Sequence, residues 1–156
     1  MSSGSTNLGP PQDVGALIEG LNHVLGNTCR IARTTRSFAW NITGAGGCMA
    51  IRCFNNQSDE LSGSIEPLAL HILGLGGPAL LDYTDGVVEV NPPTVAAIPS
   101  KASMIDRLRE AHRRAEASAR AALDVALDDQ EWPTVVHLSG RIDAHRAHAR
   151  ELATLF

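Results

Sequence analysis

Residues 78–100 read Pro-Ala-Leu-Leu-Asp-Tyr-Thr-Asp-Gly-Val-Val-Glu-Val-Asn-Pro-Pro-Thr-Val-Ala-Ala-Ile-Pro-Ser, and this stretch decides the topology. Proline fixes φ and carries no amide hydrogen, so Pro78, Pro92, Pro93 and Pro99 keep the stretch out of any long helix. It separates two segments of strong helical periodicity by 23 residues, whereas neighbouring antiparallel helices are joined by roughly 2–8. The chain is therefore expected to cross over here, from one end of a bundle to the other.

Working outward, the segment before it places Ala50, Phe54, Leu61, Ile65, Leu68, Ile72 and Leu75 on one helical stripe, ended by Gly74, Gly76, Gly77 and Pro78. Pro67 lies inside this stripe. The carbonyl it would strike belongs to Gly63, so the spacing predicts a kink between Gly63 and Pro67 and not a helix end. Earlier still, Val14, Leu17, Leu21, Val24, Leu25, Ile31 and Phe38 form a first stripe from Asp13 to about Phe38. The glycine-rich run from Trp40 to Gly47 breaks it. After the crossover a third helix starts near Ser100 or at Ser103, the latter matching a capping box with Asp106. Its stripe of Ile105, Leu108, Ala111, Ala115, Ala119, Ala122 and Ala126 is mostly alanine, so a partner helix can come close. The acidic break from Asp128 to Glu131 leads through Trp132 and Pro133 into a fourth stripe of Val135, Leu138, Ile142, Ala149, Leu152 and Phe156. Four long helices with one long crossover between the second and third predict an all-α, ferritin-like four-helix bundle. A simple up-and-down bundle explains residues 78–100 less well.

Composition agrees, because 21 of the 156 residues are alanine, the best helix former. Residues 1–12 read as a disordered polar tail and 13–156 as one bundle domain. No charged segment followed by an apolar one opens the chain, and the stretch from Pro67 to Leu81 is too short and too interrupted to span a bilayer. A soluble, cytoplasmic protein is expected. The net charge of −4 argues against a nucleic-acid footprint over the whole molecule. Cys29, Cys48 and Cys53 form no CxxC pair and read as reduced thiols packed as small apolar groups.

The helix ends carry more specific words. Leu21-Asn22 near the start of helix one, and Thr34-Thr35-Arg36-Ser37-Phe38-Ala39-Trp40-Asn41-Ile42-Thr43-Gly44 at its end, resemble the Dps family, the miniferritins called DNA-binding proteins from starved cells. There the words are LN and a YHWNVxG-like stretch. Leu73-Gly74-Leu75-Gly76-Gly77-Pro78 is similar to that family's LGGxP close of helix two, and Arg141-Ile142-Asp143-Ala144-His145 to its RIxxH in the last helix. The pieces occur in family order across residues 14–156. The resemblance implies a homo-oligomeric hollow shell, a dodecamer, with roles in iron storage, iron homeostasis and the stress response. It also implies oxidation of ferrous iron, usually by peroxide, at ferroxidase sites shared between two subunits.

That chemistry needs oxygen ligands plus imidazole, with open positions for the oxidant. The family supplies a His before the Trp, a His twelve residues later, an acid four further on, an acid eleven beyond that and a Glu after four more. In this chain those positions are Ala39, Ile51, Asn55, Glu66 and Leu70. A methyl group and two branched aliphatics offer no lone pair, and Asn55 offers only a weak neutral oxygen. Glu66 alone binds a divalent cation loosely. Four of the five positions are thus replaced, no residue is assigned a catalytic role, and intrinsic iron oxidation is expected to be weak or absent.

Two ways of rebuilding a metal site stay open. His71 could stand in for Leu70, but one step along a helix turns a side chain by about 100°, which the kink at Pro67 would have to undo. Asp59 and Glu60 could join Glu66, although charges at that spacing usually form a solvated face. Otherwise the cost of burying a lone carboxylate favours pairing Glu66 with Arg33 or Arg36.

Elsewhere, His145 and His148, with Asp143 nearby, read as a surface pair, and His23, His112 and His137 as isolated, satisfied polar residues. Asp124, Asp128, Asp129 and Glu131 fall where the resemblance implies three-fold iron-entry pores, and a ring of acids concentrates cations. The competing reading is capping and solubility. DNA binding is not expected, because residues 1–12 contain no Lys or Arg and the arginines at 107, 109, 113, 114 and 120 alternate with acids at pairing distance. Iron is the only metal implied. Two alternatives to the iron shell remain: a non-enzymatic cage or interaction protein that co-assembles with a competent paralogue, and a small-molecule-binding or hydrolytic protein using space vacated at Ala39, Ile51 and Leu70.

Overall fold

The computed structural model describes residues 14–44, 46–80 and 98–156. They form α1 (Val14–Asn41), α2 (Gly47–Gly74), α3 (Lys101–Asp128) and α4 (Trp132–Ala153). The stripes read from the sequence are the buried ones, with Leu17, Leu21, Phe54, Leu61, Leu68, Ile72, Ile105, Leu108, Leu138 and Leu152 removed from solvent. Phe156 is the exception: it is exposed, with the Arg109 guanidinium 5.8 Å from its ring centre.

Contacts across the helices fix their directions. Ala32 and Arg36 of α1 meet Ser58 and Asn55 of α2 in reverse order, as Glu60 and His71 of α2 meet His148 and Thr134 of α4, and only residues 129–131 turn α3 back into α4, so each of these pairs is antiparallel. α1 and α3 also run antiparallel, and very close: a Cβ on Gly20 would lie 3.1 Å from the Cβ of Ala122. The alanine stripe of α3 permits this approach. Of the helix pairs that pack side by side, α2 and α4 meet most sparsely, and α1 does not touch α4 nor α2 α3.

The crossover follows from where its ends sit. Asn22, near the start of α1, donates to the Pro78 carbonyl at 3.0 Å and accepts from the Leu80 amide at 2.7 Å. Lys101 opens α3 at the other end of α1, beside Gly46. Most of the connection, residues 81–97, lies outside the described residues, as does the 1–12 tail.

Local chemistry explains the boundaries. α2 runs unbroken through Pro67 and closes at Gly76, whose φ of +85° is left-handed, with the Gly77 amide donating to the Ile72 carbonyl, a Schellman-type cap. Of the two starts left open for α3, Ser100 is the cap: its hydroxyl accepts from the Ser103 amide at 3.2 Å, while Asp106 lies 3.8 Å from Arg109. Pro133 sits in the first turn of α4, where a missing amide hydrogen costs nothing.

Two large apolar clusters and a smaller one fill the bundle. One joins the start of α1 to the ends of α2 and α3 and the start of α4, through Leu17, Leu21, Leu68, Ile72, Ala126 and Leu138. The other joins the opposite ends through Ala39, Phe54, Met104, Ile105, Leu108 and Leu152. Between them lie the small cluster of Ile31, Ala32, Leu61 and Ala115 and a layer of buried polar side chains.

Candidate functional site

The five positions assigned by the resemblance do not gather within one chain. Ala39 is buried in the second cluster, and Ile51 packs against that cluster from the next helix. Asn55 is half-buried and its amide oxygen is occupied, accepting from Arg36 at 2.7 Å. Glu66 and Leu70 lie further along α2, Glu66 about 16 Å beyond Asn55 at 1.5 Å per residue. Glu66 is exposed and Leu70 is 59% exposed. Two chains would be needed to bring the five together.

The pairing expected for Glu66 needs correction, and the alternatives left open for a metal site or a pocket are not met. Arg36 does not pair with Glu66; it spans Asn55 and Asp59 on the facing turns of α2. Asp59 and Glu60 do not join Glu66, because successive residues on a helix point about 100° apart and each has found its own cation. Asp59 takes Arg36, whereas Glu60 turns inward to Arg141 at 2.5 Å and to the ring of His148 at 2.8 Å. His71 does not replace Leu70. Its Nε2 lies 2.6 Å from the Thr134 hydroxyl, and its ring stacks on His137 at 5.3 Å. Nor do Ala39, Ile51 and Leu70 frame a vacated pocket: the first two belong to the packed core and the third faces outward. Among the described residues no three His, Cys, Asp or Glu side chains are placed to hold a metal ion.

Of the histidines read as isolated or superficial, His23 does stay exposed, beside Glu19, but His112, His137, His145 and His148 are drawn into the bundle. His112 and His145 are wholly buried, and their Nδ1 atoms stand 2.9 Å apart. His148 packs its ring against His112 at 5.2 Å between centres. The Nε2 atoms of His112 and His145 are buried without a hydrogen-bond partner, as are Arg141 Nε, Gln57 Oε1 and Thr35 Oγ1. Thr35, Gln57, His112 and Arg141 come one from each helix, so the layer crosses the whole bundle. A signal for it existed in the sequence. His112 continues the spacing of Leu108, Ala115 and Ala119, and His145 follows Ile142 by three, so both fall on buried stripes.

Electrostatics follow from burial and from neighbours. Burial, then the charge of His145, His148 and Arg141, pushes His112 down to about 3. Burial and then Arg141 push His145 down to about 4. The hydrogen bond from His148, reinforced by Arg141, holds the Glu60 carboxyl at about 2 against the opposing effect of burial. Next to this layer, Gln57 donates to Glu151 at 2.9 Å, and burial followed by that carboxylate raises the Cys53 thiol to about 12, so it stays protonated.

The remaining candidates sit at the surface. Asp124, Asp128, Asp129 and Glu131 cluster at the turn from α3 to α4, the first two exposed and the others half-buried. On α3, Glu110 binds Arg113 and Arg114, and Glu116 binds Arg120. Between α1 and α2 lies a groove of about 980 Å³ lined by Cys29, Arg33, Phe38, Trp40, Ser62 and Ile65 among others. Trp40 is 76% exposed at its rim.

Residues 18–156 match the model of the ferritin-like domain family. The chain belongs to the ferritin-like family. Solved structures share the fold of this ferritin-like protein at low identity. The Dps protein of Vibrio cholerae, a member of the ferritin-like diiron-carboxylate superfamily, is 21% identical, with 99% of this chain and 98% of that one covered at a TM-score of 0.78. DpsC of Streptomyces coelicolor is 20% identical over 98% and 90%, with a TM-score of 0.81. A dodecameric thioferritin of Bacteroides fragilis, related to bacterioferritin, is 17% identical over 92% and 85%, with a TM-score of 0.79. No curated protein matches the sequence. None of the described helices is long and apolar enough to cross a membrane.

Proposed function

We propose that this ferritin-like chain builds a Dps-type homo-oligomeric shell, a dodecamer in the cytoplasm, that sequesters iron and protects against oxidative stress with little or no ferroxidase activity of its own. The observation that carries this reading is the state of the five positions. Ala39, Ile51 and Leu70 have no lone pairs, the Asn55 oxygen is engaged by Arg36, and only Glu66 remains a carboxylate. Such a donor set does not fit a di-iron centre, which needs several oxygen and imidazole ligands on each ion. No oxidation step is therefore assigned to this chain. Iron is the cargo, held as mineral by inner-wall carboxylates after slow oxidation or oxidation by a partner.

The groove between α1 and α2, with Trp40 exposed at its rim, and the exposed Leu70 further along α2 support assembly, because apolar surface of this kind is normally covered by another chain. The dodecameric relative from Bacteroides fragilis supports the copy number. Acids at the α3–α4 turn are proposed as pore linings, which symmetry would repeat around a three-fold axis. The pairing of the α3 arginines with Glu110 and Glu116 supports a shell that does not bind DNA. A second reading, co-assembly with a competent paralogue, is favoured by Glu66, which is exposed and has no partner among the described residues.

The test begins with light scattering: a stable monomer removes the shell from both readings. Ferrous iron and peroxide are then added anaerobically while ferric absorbance is followed. The expected rate equals the protein-free control, and rapid stoichiometric oxidation would defeat the inert-site reading. The fourfold variant Ala39→His, Ile51→His, Asn55→Asp and Leu70→Glu is expected to gain iron oxidation.

A further inference from the structure

The buried imidazole pair plays no part in the proposed function. The Nδ1 atoms of His112 and His145 are 2.9 Å apart and the ring centres 5.2 Å apart. With Nδ1 just over 1 Å from the centre of its ring, these separations place both nitrogens nearly on the line between the rings. That is the geometry of an N–H···N hydrogen bond, with a shared proton between the rings. Two imidazoles converging on a metal ion would instead aim their lone pairs at a common point off that line. The species suited to this site is a proton.

We infer that the His112–His145 pair is a proton-operated latch, which ties α3 to α4 while neutral and loosens the middle of the bundle when it takes up protons.

The atoms require this sequence of events. In the neutral pair one ring donates its Nδ1–H to the bare Nδ1 of the other. The donor ring's Nε2 then holds a lone pair and the acceptor ring's Nε2 holds a hydrogen. A first proton goes to the free Nε2 and keeps the bond, but it leaves a buried imidazolium. Neither Nε2 has a hydrogen-bond partner to disperse that charge. A second proton goes to the accepting Nδ1. Two N–H groups then face each other at hydrogen-bond distance and the bond is gone.

The surroundings oppose both steps. From α4 the pair faces Arg141, already a cation, and His148. From α2 it faces Glu60, whose carboxylate is committed to both of these. From α3 comes Glu116, which holds Arg120 and Arg146. No carboxylate is therefore left uncommitted for a new imidazolium. The sparse contact of α2 with α4 is where the layer can give.

The sign is as follows. Burial lowers both imidazoles in the folded chain to about 3 and about 4, from an ordinary value of 6.5. Their contribution to stability is complete above pH 6.5 and is lost as pH falls below it, because the opened chain binds protons that the closed one refuses. Glu60 acts later. Its carboxyl is held at about 2 against an ordinary 4.5, so its contribution is lost only below pH 4.5. The window from 6.5 to 4.5 belongs to the histidines.

The experiment is urea unfolding of the full chain at fixed concentration from pH 7.5 to 4.5. The two linked protons of the pair contribute a rise in the unfolding constant toward about 100-fold per pH unit below 6.5. His112→Gln and His145→Gln should each reduce that dependence by about tenfold per unit. His137, also lowered by burial, is the control, and His137→Gln should leave the part due to the pair in place. If a variant does not fold, amide exchange of α3 and α4 in the wild-type chain reads the same proton count from the pH dependence of opening. A wild-type constant that stays flat to pH 4.5, a dependence unchanged by both substitutions, or one abolished by His137→Gln alone would each overturn the latch.

Discussion

Two regions of this bundle have exchanged the characters expected of them. At the α1–α2 end, where the resemblance places imidazoles and carboxylates, Ala39 and Ile51 join an ordinary aliphatic core with Phe54 and Leu152. In the middle, where a helical bundle is normally apolar, imidazole, guanidinium, carboxylate, amide and hydroxyl groups meet. The difference shows that packing and lone-pair chemistry are separable. The first region keeps its shape by filling space. The second is held by directional bonds that leave several buried atoms unpartnered, which costs stability but makes the layer responsive to its charge state.

The comparison can be broken by substitution. Phe54→Ala should cost the most, about 4 kcal/mol, because a wholly buried ring leaves a cavity in the filled region. Urea titration reads it, and a loss under 1 kcal/mol would mean that this end is loosely packed. Arg141→Met should cost less, about 2 kcal/mol by the same titration. Breaking a buried pair strands its partner, but Glu60 is 40% exposed and water recovers part of the loss. Adding Glu60→Gln to that variant should restore some of the stability.

Glu60→Gln alone sharpens the contrast in acid. Because the folded carboxyl is depressed, wild-type stability falls between pH 4.5 and 2, and the variant should lack about 1 kcal/mol of that fall after allowance for solvent screening. Thermal unfolding across this range checks it. The smallest expected effect, about 1 kcal/mol, is from Gly20→Ala, whose new methyl meets the Ala122 Cβ at 3.1 Å and must push α1 from α3. Gly26→Ala, with open space around it, is the matched control and should not destabilise the bundle.

The helices and the crossover were legible because periodicity reports burial directly, and prolines mark where helices cannot run. Leu21, Phe54, Leu108 and Leu138 all lie where their spacing put them. The polar layer was on the same stripes but was read by residue type. By residue type His112 reads as a separate polar residue, although its spacing from Leu108 and Ala115 places it inward. What no spacing could supply was its partner, since His112 and His145 are 33 residues apart and meet only once α3 and α4 pack. For Glu60 and Asp59 the obstacle was rotation. Adjacent letters in the sequence end on different faces, Asp59 toward Arg36 of α1 and Glu60 toward Arg141 of α4.

Asn22 has a use beyond explaining why Leu21-Asn22 stands at the head of α1. Its side-chain amide grips Pro78 and Leu80 with the paired bonds of a short strand, and Ser100 fixes the far end of the same connection by capping α3. Both anchor points are thus set by contacts that do not involve the sequence between them. Because closure entropy grows only slowly with length, doubling a connection whose two ends are held in this way adds only about 0.6 kcal/mol to the cost of closing it.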